Sequence, residues 1–351
     1  MKARPLLLLA VLAACATVAR AWDYEGHRLV NEVALSALPQ DFPAFVHTRA
    51  NAERIAFLAG EPDRWRNVPD LPLQQANGMN HYLDLEDIPA AGLDLATLPS
   101  FRYDFAVAFA AGRAAHPQNF PAIDEEKNYD HSRQWCGFLP WTVAEQFGKL
   151  RSAFSYLKVY EELGTKEEVE NAERNVVYVM GVMGHYVGDS AQPLHTTIHH
   201  HGWVGPNPEG YTTWPGIHAW IDGGLIGKAR IRLADLQPLV KPAEALSVAP
   251  RADRRDPVFV AELNYIVAQN RQVEPLYRLQ KDGKLGDHDR PVTDEGKKFI
   301  EGQLVSGGEM LASIWLTAWQ NTVPDEYLRN TLLRRQGRPV ERRPRPTHAA
   351  K

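Results

Sequence analysis

The chain has 351 residues, 44% of them hydrophobic, enough for a large soluble core. Its formal charge of −4 is unevenly spread: residues 334–351 carry seven Lys or Arg against Glu341, residues 1–21 carry three more positives, and residues 22–333 hold about −13. That balance excludes a basic nucleic-acid-binding surface of the ordinary kind, so a phosphate substrate would have to find its positive charge mainly on metal ions.

In chain order, Lys2 and Arg4 precede a 14-residue apolar stretch from Leu6 to Ala19, too short to span a bilayer. Ala19-Arg20-Ala21 follows as a small-x-small cleavage site, so residues 1–21 read as an export signal and the protein as periplasmic or secreted. Leu12-Ala13-Ala14-Cys15 is the competing reading, a lipoprotein site acylated at Cys15. Cys136 is the other cysteine of the two, so cleavage after Ala21 leaves no intrachain disulfide.

Helical spacing of apolar residues predicts helices over Gly26–Ala37, Val143–Leu163, Glu167–Val187, Val258–Leu279 and Gly296–Gln320. Pro69–Gly78, Ile88–Pro99 and Gly202–Gly216 collect turn formers and are expected as loops. Gly137-Phe-Leu-Pro-Trp141 leads into the second of these helices. No sustained strand alternation or repeat is present, and the Arg/Pro-rich segment 334–351 is expected to be disordered. The predicted class is all-α, with a single mostly helical domain over 22–333.

The sharpest segment is His185-Tyr-Val-Gly-Asp189-Ser-Ala-Gln-Pro-Leu-His195. His185 and Asp189 lie four apart on one helix face, roughly 6 Å from one another. Gly188 leaves room for another group beside Asp189, and Pro193 turns the chain so that His195 can point back. His218 and Asp222 repeat the His-x-x-x-Asp spacing. A lone histidine means little, but two such pairs with a histidine between them form a mixed nitrogen and carboxylate set that suits zinc.

This segment resembles the signature of the zinc-dependent nuclease and phospholipase C superfamily, in which the mature chain begins with a tryptophan whose amino group and carbonyl bind zinc. Here the expected cleavage leaves Trp22 first, with His27 five residues later. Asp63 in Gly60-Glu-Pro-Asp63 and His81 in Asn80-His-Tyr-Leu-Asp84 match the family's next two ligands. The resemblance implies one mostly helical domain with long loops around three zinc ions. Asp63, His81, His185 and Asp189 would hold the first, and Trp22, His27 and a shared oxygen of Asp189 the second. His195, His218 and Asp222 would hold the third. It further implies hydrolysis of a phosphodiester by water activated between two zincs, with Asp189 bridging and orienting and Arg66 stabilising charge on the phosphate.

Arg64 is a weaker choice than Arg66, and a surface arginine without a role is the plain alternative. Tyr82 and Asp84 occupy positions that nuclease relatives use to stack and hydrogen-bond a base, although packing beside the metals would explain them equally. The short Trp22–His27 interval, the 23-residue His195–His218 interval and Asp222 rather than Glu resemble the nuclease branch. The expected substrates are therefore single-stranded DNA or RNA and nucleotides. A zinc phospholipase C is the first alternative, with Trp203, Trp214 and Trp220 as a candidate apolar rim. A non-catalytic exported zinc-binding lipoprotein is the second. The run His199-His-His201 reads as a solvated loop near the cleft rather than a fourth metal position, and Cys136 as a buried small hydrophobe.

Overall fold

A computed structural model describes residues 22–340 and contains helices and loops, with no strand among them. The longer helices are α1 (Tyr24–Ala37), α2 (Arg49–Leu58), α3 (Glu61–Asn67), α4 (Leu71–Gly78), α5 (Arg102–Ala115) and α6 (Leu139–Leu163). They continue with α7 (Lys166–Ala191), α8 (Pro257–Asn270), α9 (Val273–Lys281), α10 (Asp294–Gln320) and α11 (Glu326–Arg335). None of them is long and apolar enough to cross a membrane. The expected export signal lies outside the described residues.

Helices α6 and α7 form an antiparallel hairpin. Its corner is fixed by a capping box, in which Thr165 Oγ1 accepts from Glu168 N while the Glu168 carboxylate accepts from Thr165 N. From Met180 to Ala191 every residue of α7 is buried, because α1, α2, α6, α8 and α10 all pack against it. A helix enclosed on every side can carry polar groups only where they satisfy one another or a bound ion. His185 and Asp189 lie in that stretch. One continuous apolar core surrounds it, and a small satellite of Val159, Leu163, Leu332 and Leu333 seats α11 on α6.

Several expected boundaries move. The pattern over Val258–Leu279 is two helices, α8 and α9, with a break at Arg271–Gln272. Pro275 has no N–H to give to residue 271 and its ring would clash with that carbonyl, so one helix cannot run through. Within the expected loop Pro69–Gly78, Asp70 caps the Leu73 amide at 2.9 Å, and Pro72 sits in the first turn of α4, where a proline costs nothing. Arg334 and Arg335 complete α11, and Arg335 forms a two-pronged pair with Glu168 at 2.6 and 2.8 Å, so order extends past the expected domain end at 333. Residues 341–351 of that segment lie outside the described residues.

Candidate metal centre

Each candidate ligand is placed by a local device. Asp23 caps α1, accepting from Tyr24 N, while its own amide donates to the Asp222 carbonyl at 2.9 Å; His27 follows one turn into the helix. Trp22 is fully buried and its indole N–H donates to the Gly188 carbonyl at 2.8 Å. Asp63 sits in the first turn of α3 and His81 in a one-turn 3₁₀ helix, Met79–His81. After α7 ends at Ala191, Pro193 opens another single turn carrying His195. Leu83 N donates to the His195 carbonyl at 2.9 Å, and Leu85 N to the Thr196 carbonyl at 3.2 Å, fastening the two loops together. His218 lies on a short helix, and Asp222 lies in a π-helical turn, Trp220–Gly224. Such turns recur at functional sites.

These segments bring eight His and Asp side chains into three groups, within each of which the ligand atoms lie within 4.8 Å of one another: His27–Asp63–His185, His81–His185–Asp189 and His195–His218–Asp222. Asp189 joins them. Its Oδ2 lies 3.0 Å from His81 Nδ1 and 3.3 Å from His185 Nε2, and its Oδ1 lies 3.5 Å from His27 Nε2 and 3.7 Å from His195 Nδ1. The room expected beside Gly188 is taken by His27, whose Nδ1 would lie 2.9 Å from a β-carbon at residue 188. The His27 and His185 rings stack at 3.8 Å.

The hydrogen bonds set the tautomers. His185 Nδ1 donates to the Ala59 carbonyl at 2.7 Å and His195 Nδ1 to the His81 carbonyl at 2.6 Å. Each ring therefore offers its Nε2 lone pair to the cluster, the arrangement usual for metal-bound histidine. His195 Nε2 and His218 Nε2 face each other at 3.0 Å, with Asp222 Oδ2 3.1 Å from the latter. Both ring nitrogens of His27, His81 Nε2, His218 Nδ1, Asp189 Oδ1 and Asp222 Oδ2 are buried without a hydrogen-bond partner. Of these, His27 Nε2, Asp189 Oδ1 and Asp222 Oδ2 face the three groups, and buried unpaired nitrogen and carboxylate atoms so placed fit divalent cations; zinc suits this donor chemistry.

The electrostatics agree with that fit at four of the five rings; at His185 burial is outweighed by Asp189 and Asp63 together, and the ring is raised instead. Burial, followed by neighbouring histidines, holds His27 and His218 well below the usual imidazole range. Burial and then Arg66 bring His81 down to about 3, and burial lowers His195. These rings are thus neutral, the state a metal requires. Burial opposes ionisation of Asp189, yet His185 and His195 hold it well below the carboxylate range. Asp63, where burial is outweighed by Arg66 together with His185, His81 and His27, falls to about 2. Asp222 goes the other way, pushed well up by burial despite the bond it accepts from Gln192 Nε2 at 2.6 Å.

Arg66 places its Nε 2.8 Å from Asp63 Oδ1, at the edge of the cluster, whereas Arg64 pairs with Glu61 and lies over Phe57. Tyr82 is half-buried, and Asp84 is buried, its amide donating to the Cys136 carbonyl at 2.7 Å. Cys136 is itself buried.

Two neighbours carry more than their sequence context suggested. Gln192 positions Asp222. His200, with its side chain 36% exposed, is held in place: its Nδ1 donates to the Thr197 carbonyl at 3.0 Å and lies 3.8 Å from Asp84 Oδ1, while the exposed His201 ring lies 5.5 Å from that of His218. A third, Glu262 on α8, is fully buried next to Ser190, with neither carboxylate oxygen hydrogen-bonded. Compared with models of known families and with curated proteins, the chain matches none.

Proposed function

We propose that the protein is an exported zinc-dependent phosphoesterase that hydrolyses phosphodiester bonds of single-stranded nucleic acid, with nucleotides as smaller substrates. The observation that carries this reading is the convergence of His27, Asp63, His81, His185, His195, His218 and Asp222 on three buried groups arranged around Asp189. The sequence resemblance supplies the reaction class and the overall fold of the zinc nuclease and phospholipase C type.

In this reading Asp63, His81, His185 and Asp189 hold one zinc, and His195, His218 and Asp222 hold another. Trp22, His27 and Asp189 hold a third once Trp22 is the first residue. Zinc in these places would lower the pKa of coordinated water and neutralise phosphate charge. The chain's own groups do the rest. The ionised Asp189 carboxylate sits between His27 and His81 and orients groups on both sides. Ala59 and His81 carbonyls lock the His185 and His195 rings. Arg66, held beside Asp63, is the guanidinium nearest to hand for a developing phosphate charge. Tyr82 and Asp84 are proposed to contact the base.

The phospholipase reading loses most of its expected rim. Trp220 is buried and donates to the Leu285 carbonyl at 3.1 Å, and Trp203 stacks on His199, leaving Trp214 as the exposed member. What keeps that reading alive is the exposure of Val68, Leu71 and Leu73 just after Arg66 in the chain. The test is hydrolysis by zinc-loaded protein beginning at Trp22, offered single-stranded DNA, RNA and phosphatidylcholine in parallel with an Asp189→Asn control. Nucleic-acid cleavage lost in the control is expected. Release of lipid head group alone would move the assignment to the phospholipase branch, and zinc bound without activity on any substrate would overturn both.

A further inference from the structure

Arg133 stands on the loop that follows a 3₁₀ turn, Glu125–Lys127, and its surroundings aim it. Its Nε donates to the Lys127 carbonyl at 2.6 Å, and its own amide donates to Asn128 Oδ1 at 3.0 Å. Three residues on, the Cys136 carbonyl accepts from Asp84 N at 2.7 Å, and Asp84 Oδ1 lies 3.8 Å from His200 Nδ1, which fastens this loop beside the candidate centre. Arg133 is exposed, and among the described residues no carboxylate pairs with it and neither terminal nitrogen has a hydrogen-bond partner. Acids are plentiful in a body that carries about −13, yet none is placed against this guanidinium.

Two imidazoles lie between Arg133 and the group His195–His218–Asp222. The exposed His201 ring is 4.6 Å from that of His200 and 5.5 Å from that of His218. Burial first, then for His201 its histidine neighbours, lowers both imidazoles, and the Arg133 charge lowers each further, so the guanidinium bears on this ring pair. Arg66 bears instead on His81, His195 and His218, where burial again comes first. The two arginines thus serve different ground: Arg66 the ligand cluster, Arg133 the rings just outside it. With its Nε anchored, Arg133 keeps its terminal N–H groups as a fork of the kind that grips phosphate oxygens. Resting on the phosphodiesterase reading above, we propose that Arg133 binds the phosphate one nucleotide removed from the bond being cleaved, so that a strand is preferred to an isolated phosphodiester. The neutral His200 and His201 rings border the ground between the two phosphates without adding charge to it.

The test offers the zinc-loaded chain beginning at Trp22 the trinucleotide TpTpT and its two isomers in which one linkage is an uncharged methylphosphonate that is not cleaved. For the parent, one isomer should show a KM raised about tenfold over TpTpT at unchanged kcat. Arg133→Ala should raise the KM for TpTpT to that level, leave that isomer as it is in the parent, and flatten the log–log salt dependence of KM by up to about 0.7. Arg133→Lys should recover part of the loss, with melting temperature and zinc content unchanged in both variants. Both isomers matching TpTpT in the parent, or an Arg133→Ala loss that is the same for TpTpT and both isomers, would overturn the subsite and leave the phosphodiesterase reading standing. A parent that binds zinc and cleaves no trinucleotide would instead sink that reading, and the subsite with it.

Discussion

Glu262 gives a sharp test of how the core beneath the candidate metal centre is balanced. Burial raises its carboxyl from 4.5 to about 7, only partly offset by the nearby Ser190 hydroxyl, which already donates to the Tyr186 carbonyl at 3.0 Å. The folded chain thus holds this proton more tightly than the unfolded chain. Where the folded state binds more protons, stability falls as pH rises. The loss begins near the unfolded value of 4.5 and is complete above the folded value of about 7. A separation of that size corresponds to about 3 kcal/mol, of which about 2 kcal/mol falls between pH ~5.5 and ~8.5. Glu262→Gln keeps the shape and removes the titration. Relative to the parent it should gain about 2 kcal/mol across that interval, or about 3 °C in melting temperature for a domain of this size. Melting both zinc-loaded proteins side by side at each pH cancels the pH dependence of zinc binding, which they share. Parallel stability–pH curves would refute the reasoning and mean that the carboxyl is already ionised and solvated in the fold.

Three further outcomes are expected. Gly188→Ala sets a methyl 2.9 Å from His27 Nδ1, in a place that the buried His27 and Trp22 cannot both vacate. It should cost about 1–3 kcal/mol and lower zinc content, read by calorimetric melting and elemental analysis. Gln192→Leu removes the donor to Asp222 Oδ1 at 2.6 Å and should weaken one zinc equivalent about 10–100-fold in chelator competition while leaving the helical content intact. Arg335→Ala breaks the pair with Glu168, and because Arg335 is 47% exposed the urea unfolding midpoint should barely move despite the two-pronged geometry.

The parts of the fold that could be read in the sequence are those decided locally. The apolar spacing of α1, α7 and α10 reports a face that each helix buries, and Pro193 marks one of the turns. The break between α8 and α9 was equally local, since Pro275 stands in plain view, but an apolar period carried across it hid the interruption. The expected loop at Pro69–Gly78 failed for the opposite reason: prolines and Asn-Gly read as breakers, although Pro72 occupies the one helical position that tolerates it.

The candidate centre divides along the same line. His185 with Asp189, and His218 with Asp222, are pairs that a single helical turn creates, so spacing alone exposes them. What spacing cannot express is which turns meet. Gln192 lay inside the segment with the clearest signal, yet its role depends on Asp222, thirty residues on, arriving opposite its amide. Glu262 sits on a helix whose neighbours Val258, Phe259, Leu263 and Ile266 are buried. One acid in such a stripe looks like an edge residue until α8 is packed against α7. The anchoring of His199 and His200 was hidden by their own company, because three consecutive histidines suggest a solvated tract, and the Thr197 carbonyl on one and Val204 N on the other arrive only with the packed loop. In each case the missing information is a contact between segments far apart in the chain. That contact also makes the cluster costly to leave unfilled: the neutral rings and ionised Asp189 brought together here lose water on folding, and bound cations return that loss as stability. Stripping zinc with a chelator should therefore lower the melting temperature of the whole domain rather than loosen one loop, since His27, His81, His185 and His195 are drawn from four separate segments that pack on the same core.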